Sequence, residues 1–378
     1  MRVLVIGGGI GGLAAALAVR QAGHTPAVFE RAPDLREVGA GITLWTNAVK
    51  GLRRLDGWDA VQPHTTPLTR SELRTWDGRV ISRADLGPLC DRLGAPTVGI
   101  HRADLQRGLA ETLGADHLTL GAACVGFDQD AGGVTARFAD GRTEHGDLLI
   151  GADGLKSAVR VQLHGQEKPR YSGYTAWRGV AVIDRPEVPL GVTLLAMGKG
   201  SQFGYLPIGG GRTYWFATAN VPEGQLDPPG RTKAELLARF ADWYAPVPAV
   251  IDATPEPAIL RNDIVDRPPV RGWGTGRVTL LGDAAHPTTP NLGQGGCMAI
   301  EDAVVLGRHL AAADPAAGLR AYEAERYTRT ATVTNSSRSL GRLFVLEGRL
   351  AFWARDTGLR LFAGAGLRQT EKLIGYEV

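Results

Sequence analysis

The chain is poor in cysteine, in long apolar runs and in net charge. Its 378 residues hold three cysteines, Cys90, Cys124 and Cys297, and no two form a C-x-x-C pair. So sparse and odd a set excludes a disulfide framework and a thiolate zinc site, and fits a reducing, cytoplasmic setting. The eight histidines show no ligand spacing, so no metal is expected. Lys plus Arg at 42 against Asp plus Glu at 39 leave +3, too balanced to argue for a nucleic-acid partner. The apolar start, Met1 to Arg20, holds five glycines between Gly7 and Gly12 and only Arg2 as a basic lead. It reads as a strand, a glycine turn and a helix rather than as a signal peptide. No other uninterrupted apolar run approaches the ~20 residues that span a bilayer, so no stable membrane anchor is expected. Proline is absent after Pro315, which suits long helices in the tail.

What remains is ample material for a buried core: 44% of the residues are hydrophobic, in a chain too long for one typical core. Arg2 to Ile6 reads as a buried parallel strand, Ile10 to Ala22 as a helix ended by Gly23, and Pro26 to Glu30 as a second strand, a βαβ unit. Helices are expected over Thr46 to Leu55 and Arg102 to Leu113. Between them, Pro63 to Pro96 alternates short strand-like pieces with Gly and Pro, an excursion out of the first domain. Leu118 to Ile150 looks like an antiparallel insertion with Asp140-Gly141 as a turn. Four strand-like runs, Tyr174 to Ile183, Val192 to Met197, Phe203 to Ile208 and Thr213 to Ala219, predict a separate antiparallel sheet. An amphipathic helix over Thr232 to Tyr244, a strand over Val278 to Leu281 and a helix over Ile300 to Ala313 follow. The tail from Arg326 is helical in pattern. Its Arg- and Leu-rich stretch, Arg338 to Arg368, reads as a helix docked across two domains in preference to a membrane-associating one. No repeat or low-complexity linker separates the domains, so their boundaries interleave.

Two constellations carry chemistry. Gly7-x-Gly9-x-x-Gly12 lies between a strand and a helix, with Glu30 at the end of the next strand. The first glycine makes the tight turn, the second lets backbone approach a pyrophosphate, and the third lets helix and strand pack closely. The helix N-terminus stabilises phosphate charge, and Glu30 is placed to accept from ribose hydroxyls. This pattern alone does not separate FAD from NAD. The second does: Gly282-Asp283-Ala-Ala-His286-Pro287 leaves a strand, and Pro290-Asn-Leu-Gly293-Gln-Gly295-Gly296 opens a helix. A carboxylate there suits a ribityl chain, and free amides at a helix start suit negative charge on a flavin ring carbonyl. Gly272-x-Gly274-x-Gly276 precedes a strand instead of following one, so no second dinucleotide domain is available.

With a third motif, Asp147-Leu-Leu-Ile-Gly-Ala-Asp153-Gly154-Leu-Lys-Ser157-Ala-Val-Arg160, the chain resembles the class A flavoprotein aromatic hydroxylases. These are single-component FAD-dependent monooxygenases, and the resemblance runs from the N-terminus to about Tyr322. It implies an α/β fold: a Rossmann-like FAD-binding domain of GR2 type, an interleaved antiparallel-sheet substrate domain and C-terminal helices. The expected division is 1–70, 98–170 and 268–325 for FAD, 71–97 and 171–267 for the substrate, and 326–378 for the helical tail. The resemblance places Gly7, Gly9 and Gly12 at the pyrophosphate, Glu30 and Arg31 at the adenosine, and Gly41 and Thr43 of Gly39-Ala-Gly41-Ile-Thr43 beside the flavin. It places Arg102 by the phosphates and ribityl, Val125 against adenine, and Asp283 by the ribityl and pyrophosphate. Pro290 and the turn Gly293, Gly295, Gly296 and Cys297 fall at the isoalloxazine. Asp153 is expected to serve architecture.

The activity so implied is an NADH- or NADPH-fed, O2-consuming monooxygenase that works through a flavin C4a-hydroperoxide. It inserts one oxygen into a small aromatic, heteroaromatic or polycyclic substrate, in a monomer or dimer. The alternatives are a flavin-dependent reductase or desaturase and a non-catalytic flavin- or ligand-binding protein. Arg178, Gln202 and Tyr214 are candidates for substrate contact, each with a packing alternative; His286 and Trp45 read as structural or core residues at least as well. The flavin-dependent urate hydroxylases share Gly-Gln-Gly-Gly-Cys and Thr288-Thr289-Pro290. At the positions of their substrate-facing Arg and Asp, this chain has Gln202 and Asn291, so an ionic pair is lost and urate is put in doubt.

Overall fold

The computed structural model describes residues 1–35, 40–311 and 314–378, with the main chain alone at position 349. Gly39 of the expected flavin loop, and the last two residues of the helix expected to end at Ala313, lie outside the described residues.

Four sheets order the described residues. The first is parallel, in the spatial order Val278–Leu280, Leu148–Gly151, Arg2–Ile6, Thr25–Phe29, Leu118–Thr119. Its central strand is buried on both faces: Val3, Leu4 and Val5 have no exposed surface. That explains why the run carries no polar alternation. Helix Ile10–Gln21 crosses one face and helix Gly295–Leu310 lies against it. The two approach closely because small residues meet, Ala18 standing 3.0 Å from where a Cβ on Gly307 would be. Each buried Leu or Val here contributes roughly 1.5–3 kcal/mol.

The insertion is a meander of three strands, Cys124–Gln129, Val134–Phe138 and Thr143–Gly146. The flanking Leu118–Thr119 and Leu148–Gly151 belong instead to the parallel sheet. A three-stranded patch, Gly41–Leu44, Val98–His101 and Thr66–Pro67, packs against a seven-stranded sheet. That large sheet runs Leu260–Asp266, Arg170–Val182, Arg212–Ala219, Ser201–Pro207, Val192–Met197, Arg70–Thr75, Val80–Asp85. The four expected strands are thus joined by three others. Leu260–Asp266, Leu-Arg-Asn-Asp-Ile-Val-Asp, is too polar to announce itself.

One face of this sheet is dry: Trp177, Phe203, Tyr205 and Trp215 pack under Phe240, Val247, Val250 and Ile251. Phe240 follows the helix expected over Thr232 to Tyr244, which spans Thr232–Arg239; Val247, Val250 and Ile251 come from a second helix, Pro246–Asp252, which opens on a proline and lies beyond the expected one. Helix Gly295–Leu310 begins five residues before the expected Ile300, on the glycine turn itself. Helix Pro315–Phe344 runs unbroken past residue 326, packs against Gly295–Leu310, and is followed by Arg349–Leu361 and Ala363–Ile374.

Candidate active site

A continuous cavity of about 860 Å³ runs from the C-terminal ends of the parallel strands to the inner face of the seven-stranded sheet. Its size and position, outside the strand ends, are those of a cofactor cleft. Of the expected residues, Gly7, Gly9, Glu30, Arg31, Gly41, Thr43, Arg102, Asp283, Pro290, Gly293, Gly295 and Gly296 line it, as do Arg178, Gln202 and Tyr214.

The glycine turn divides its labour. Gly7 has φ of +109° and a Cβ there would lie 2.4 Å from the Ala152 carbonyl oxygen. A Cβ on Gly12 would lie 1.8 Å from the Gly7 carbonyl oxygen. Both are therefore required by packing. Around Gly9 nothing lies within 4 Å, and that space opens on the cavity. Glu30 braces the turn: its Oε2 accepts from Gly8 N at 2.6 Å and its Oε1 from Ala32 N at 2.9 Å. The Gln106 amide donates to Gly8 O at 2.7 Å from the other side.

Three expected positions do not line the cavity. Gly12 faces Gly7, so its role is packing. Val125 is 58% exposed, whereas Ala122, Ala123 and Cys124 form the wall beside Phe29. The Val125 side chain thus points away from the wall that its neighbours form. The Cys297 thiol is buried, reaches the Thr43 and Gly293 carbonyls at 3.7 and 3.6 Å, and is pushed up to about 12 by burial. It is an inert packing group.

At the opposite wall the backbone supplies donors. The first helical bond of Gly295–Leu310 runs from Met298 N to Gln294 O at 2.7 Å, so the amides of Gly295, Gly296 and Cys297 have no intrahelical acceptor. Asp283 is exposed, with no hydrogen-bond partner shown, and its Oδ1 stands 3.9 Å from where a Cβ on Gly295 would be. An unpaired carboxylate beside unpaired amides fits a ligand that offers hydroxyls to one and a carbonyl oxygen to the other. Arg102 and Lys156 add two exposed cations to the lining. Lys156 was not anticipated, although it sits inside the third motif.

That motif is architectural and also borders the cavity. Asp153 Oδ2 accepts from Ala158 N at 2.7 Å and from Val159 N at 3.4 Å, capping helix Ala158–His164. Its Oδ1 is buried without a partner, and burial pushes its carboxyl up. Arg160 donates to the Ala284 and Ala285 carbonyls at 3.2 and 3.3 Å, tying this motif to the Asp283 turn.

Behind the turn lies a buried ionic network. Asp302 accepts from Gly282 N at 3.1 Å, faces His286 Nε2 at 2.6 Å, and takes Arg326 Nε at 2.6 Å. Glu301 takes Arg326, Arg329 and Asn47, and Asn47 also donates to Gln294 Oε1 at 2.9 Å. His286 is therefore a structural partner of Asp302 and does not border the cavity. Trp45 stays behind Gly293, its Nε1 3.0 Å from where a Cβ on that glycine would be.

The far end of the cavity is a sheet face set by register. One row across the strands reads Asn262, Ala176, Thr218, Gln202; the next reads Leu260, Arg178, Phe216, Gly204, Leu195; a third pairs Tyr214 with Leu206. All but Gly204 line the cavity, and a Cβ on Gly204 would strike the Phe216 ring at 2.4 Å. Thr218 Oγ1, Gln202 Nε2 and Arg178 Nε are buried with no protein partner. Tyr174 donates to Asn291 Oδ1 at 2.6 Å, and burial pushes the Tyr214 phenol up to about 12, so it is a neutral donor at physiological pH. Phe344, from the end of the long helix, completes the wall.

Among the described residues no cluster of His, Cys, Asp and Glu is suited to a metal ion, and no helix is long and apolar enough to cross a membrane.

Comparison with known proteins agrees with this geometry. The family model of an FAD binding domain matches residues 1–337. The chain is 46% identical over 364 residues to the aurachin C monooxygenase/isomerase of Stigmatella aurantiaca, covering 96% of this chain and 94% of the relative. It is 39% identical over 332 residues to an FAD-dependent urate hydroxylase of Klebsiella pneumoniae, covering 87% and 86%. It superposes on the crystal structure of Klebsiella pneumoniae HpxO complexed with FAD and uric acid with a TM-score of 0.94 at 35% identity, covering 99% and 96%. With a cleft that fits FAD from the Gly9 turn to the Gly295 amides, the chain belongs to the class A FAD-dependent aromatic hydroxylases, monooxygenases that draw their electrons from NAD(P)H.

Proposed function

We propose that this monooxygenase inserts one atom of O2 into a small aromatic, heteroaromatic or polycyclic substrate held against the seven-stranded sheet. The observation that carries the reading is the neutral row Asn262, Thr218 and Gln202, facing Asn291 and set among Leu195, Leu206, Phe216, Leu260, Ile264 and Phe344. Gln202 Nε2 and Thr218 Oγ1, buried without protein partners, select a ligand that supplies the missing hydrogen bonds, whereas Asn262 accepts from Arg178 and Asn291 from Tyr174.

Bound FAD supplies the redox chemistry, accepting a hydride from NAD(P)H and activating O2. The chain's own residues do the rest. Gly9 and the following helix start receive the pyrophosphate, and Glu30 and Arg31 face the adenosine. Arg102 and Asp283 hold the polar middle, and the amides of Gly295, Gly296 and Cys297 stabilise negative charge at the ring carbonyl. Gln202, Tyr214 and Arg178 orient the substrate, and the aromatic and aliphatic wall excludes water. In this reading 1–70, 98–170 and 268–325 serve the cofactor, 71–97 and 171–267 the substrate, and 326–378 the outer wall.

Aurachin C and urate are the first compounds to assay, with NADH and NADPH each as donor. Under 18O2, the substrate that accelerates NAD(P)H oxidation should gain one labelled oxygen; turnover without label in any product would sink the reading. Urate is expected to accelerate oxidation poorly, because Gln202 and Asn291 offer it no ion pair. The double change Gln202→Arg with Asn291→Asp should strengthen urate binding by roughly 10- to 100-fold, the worth of a charged hydrogen bond, read as a perturbation of the flavin spectrum. Tight urate binding by the unchanged protein would refute the assignment of that neutral row.

A further inference from the structure

The last two helices leave an apolar face uncovered. In Arg349–Leu361 the inward residues are Phe352, Arg355 and Leu359, at helical spacing. Arg355 is buried and donates to the Gly198 and Phe344 carbonyls at 3.2 and 2.8 Å, which fixes the helix to the sheet and to the end of the long helix. The outward residues are the unexpected ones: Leu350 is 84% exposed, Trp353 67% and Leu361 74%, followed by Phe362 at 69%. Ala351, Ala354, Ala365 and Leu367 continue the exposed surface into Ala363–Ile374. Single exposed apolar residues need no explanation, but a contiguous set with tryptophan and phenylalanine does.

The free charges around this face are cationic, since the flanking acids Glu347 and Glu371 are taken by Asn220 and Arg92. Arg342, Arg360, Arg368 and Lys372 are exposed, and none has an ion-pair partner shown. Between positions 349 and 370 the sole acid is Asp356, which is taken up by Arg355. A self-complementary contact between two copies would bring these cations toward one another without acids to offset them. An anionic lipid surface offers apolar depth for the Trp, Leu and Phe side chains and negative headgroups for the guanidinium groups.

We propose that Arg349–Leu361 and the following helix seat the protein peripherally on anionic bilayers, with Leu350, Trp353, Leu361 and Phe362 in the interface and Arg360 and Arg368 at the headgroups. The face lies close to the cavity: Leu359, on the inner side of the helix, packs in one cluster with Leu195 and Phe344, both of which line the cavity. Docking therefore brings the end proposed above for the substrate within about one layer of side chains of lipid. That consequence rests on the substrate reading, whereas the docking itself does not.

The test is flotation of the full-length, FAD-loaded protein with vesicles of phosphatidylcholine alone and with vesicles carrying phosphatidylglycerol at about a third of the lipid. The protein should float with the anionic vesicles and stay behind with the neutral ones. Arg360→Gln with Arg368→Gln should weaken anionic binding by about 10- to 30-fold, and Trp353→Ser with Leu361→Ser should abolish flotation. Retained FAD and an unchanged melting temperature serve as controls on folding in both. Failure of the unchanged protein to float on anionic vesicles overturns the proposal. So does a dimer in sedimentation that the Trp353 variant dissociates, since a second copy would then own the face. No turnover is measured, so an error in the substrate reading leaves these results untouched.

Discussion

Replacing Gly9 by alanine should leave the FAD-free protein's melting temperature near that of the unchanged chain and weaken FAD binding by about 10- to 100-fold. The reasoning is geometric. Gly9 has φ of −75° and ψ of −176°, a conformation open to alanine, and nothing lies within 4 Å of the added Cβ. The apoprotein has no reason to object. A methyl group at that point occupies the approach of the pyrophosphate to the helix start, and it forfeits charge-assisted hydrogen bonds to backbone. Gly12→Ala is the contrasting case. Its Cβ would sit 1.8 Å from the Gly7 carbonyl oxygen, so the turn must move whether or not FAD is present. Overpacking against backbone costs about 1–3 kcal/mol or more, and the variant should melt earlier as apoprotein and retain little flavin. Calorimetry of apoprotein and fluorescence titration with FAD distinguish the two. If Gly9→Ala and Gly12→Ala lose stability equally, the space at Gly9 is not the cofactor's.

The second large effect is expected at Arg326. This guanidinium is fully buried between Glu301 and Asp302, at 2.6 Å from each. Arg326→Ala leaves two buried carboxylates to Arg329 and His286 alone, and should destabilise by about 3–5 kcal/mol in urea unfolding. Arg326→Lys keeps the charge but cannot reach both acids with a planar fork, so it should fall between. Because Asp302 also holds the Gly282 amide, and Glu301 reaches Gln294 through Asn47, FAD retention should fall in step. An alanine variant within about 1 kcal/mol of the unchanged protein would show that the network is not a support.

The same network sets an acid limit. Burial alone raises the Asp302 carboxyl, but His286 and Arg326 outweigh it and hold the group down at about 2. A carboxyl depressed on folding contributes stability fully above its unfolded value of about 3.9. That contribution is lost as pH falls through about 2. The urea midpoint should therefore drop between about pH 4 and pH 2, and Asp302→Asn should show less of that drop from a lower starting stability. An identical acid profile in the Asn variant would remove Asp302 from the account.

The βαβ turn and the Asp283 turn were legible because their information is local. Spacing within a dozen residues marks the glycine turn and the acid that leaves a strand, although the room denied to a Cβ on Gly7 is taken by Ala152 from a distant strand end. Where side chains point is of a different character. Val125 lies one position beyond the wall formed by Ala123 and Cys124, since similarity does not fix the phase of a chain entering a meander. Cys297 belongs to the right turn by its amide and to the core by its thiol. Strand Leu260–Asp266 carries Asn262 into the cavity, yet its alternation is too polar to read.

The sequence by itself determined that this protein holds FAD, because each motif packs its demands into a short stretch of backbone. Only the tertiary structure decided which side chains meet the substrate. Arg178, Gln202 and Tyr214 could be placed on a face by period-two alternation, but their neighbours Phe216, Thr218 and Asn262 are set by cross-strand register. Register pairs Ala176 with Asn262, 86 positions away, and no local pattern encodes it. The support behind the flavin turn is of the same kind: Arg326 finds Glu301 and Asp302 because two helices pack, and packing is a property of the assembled chain.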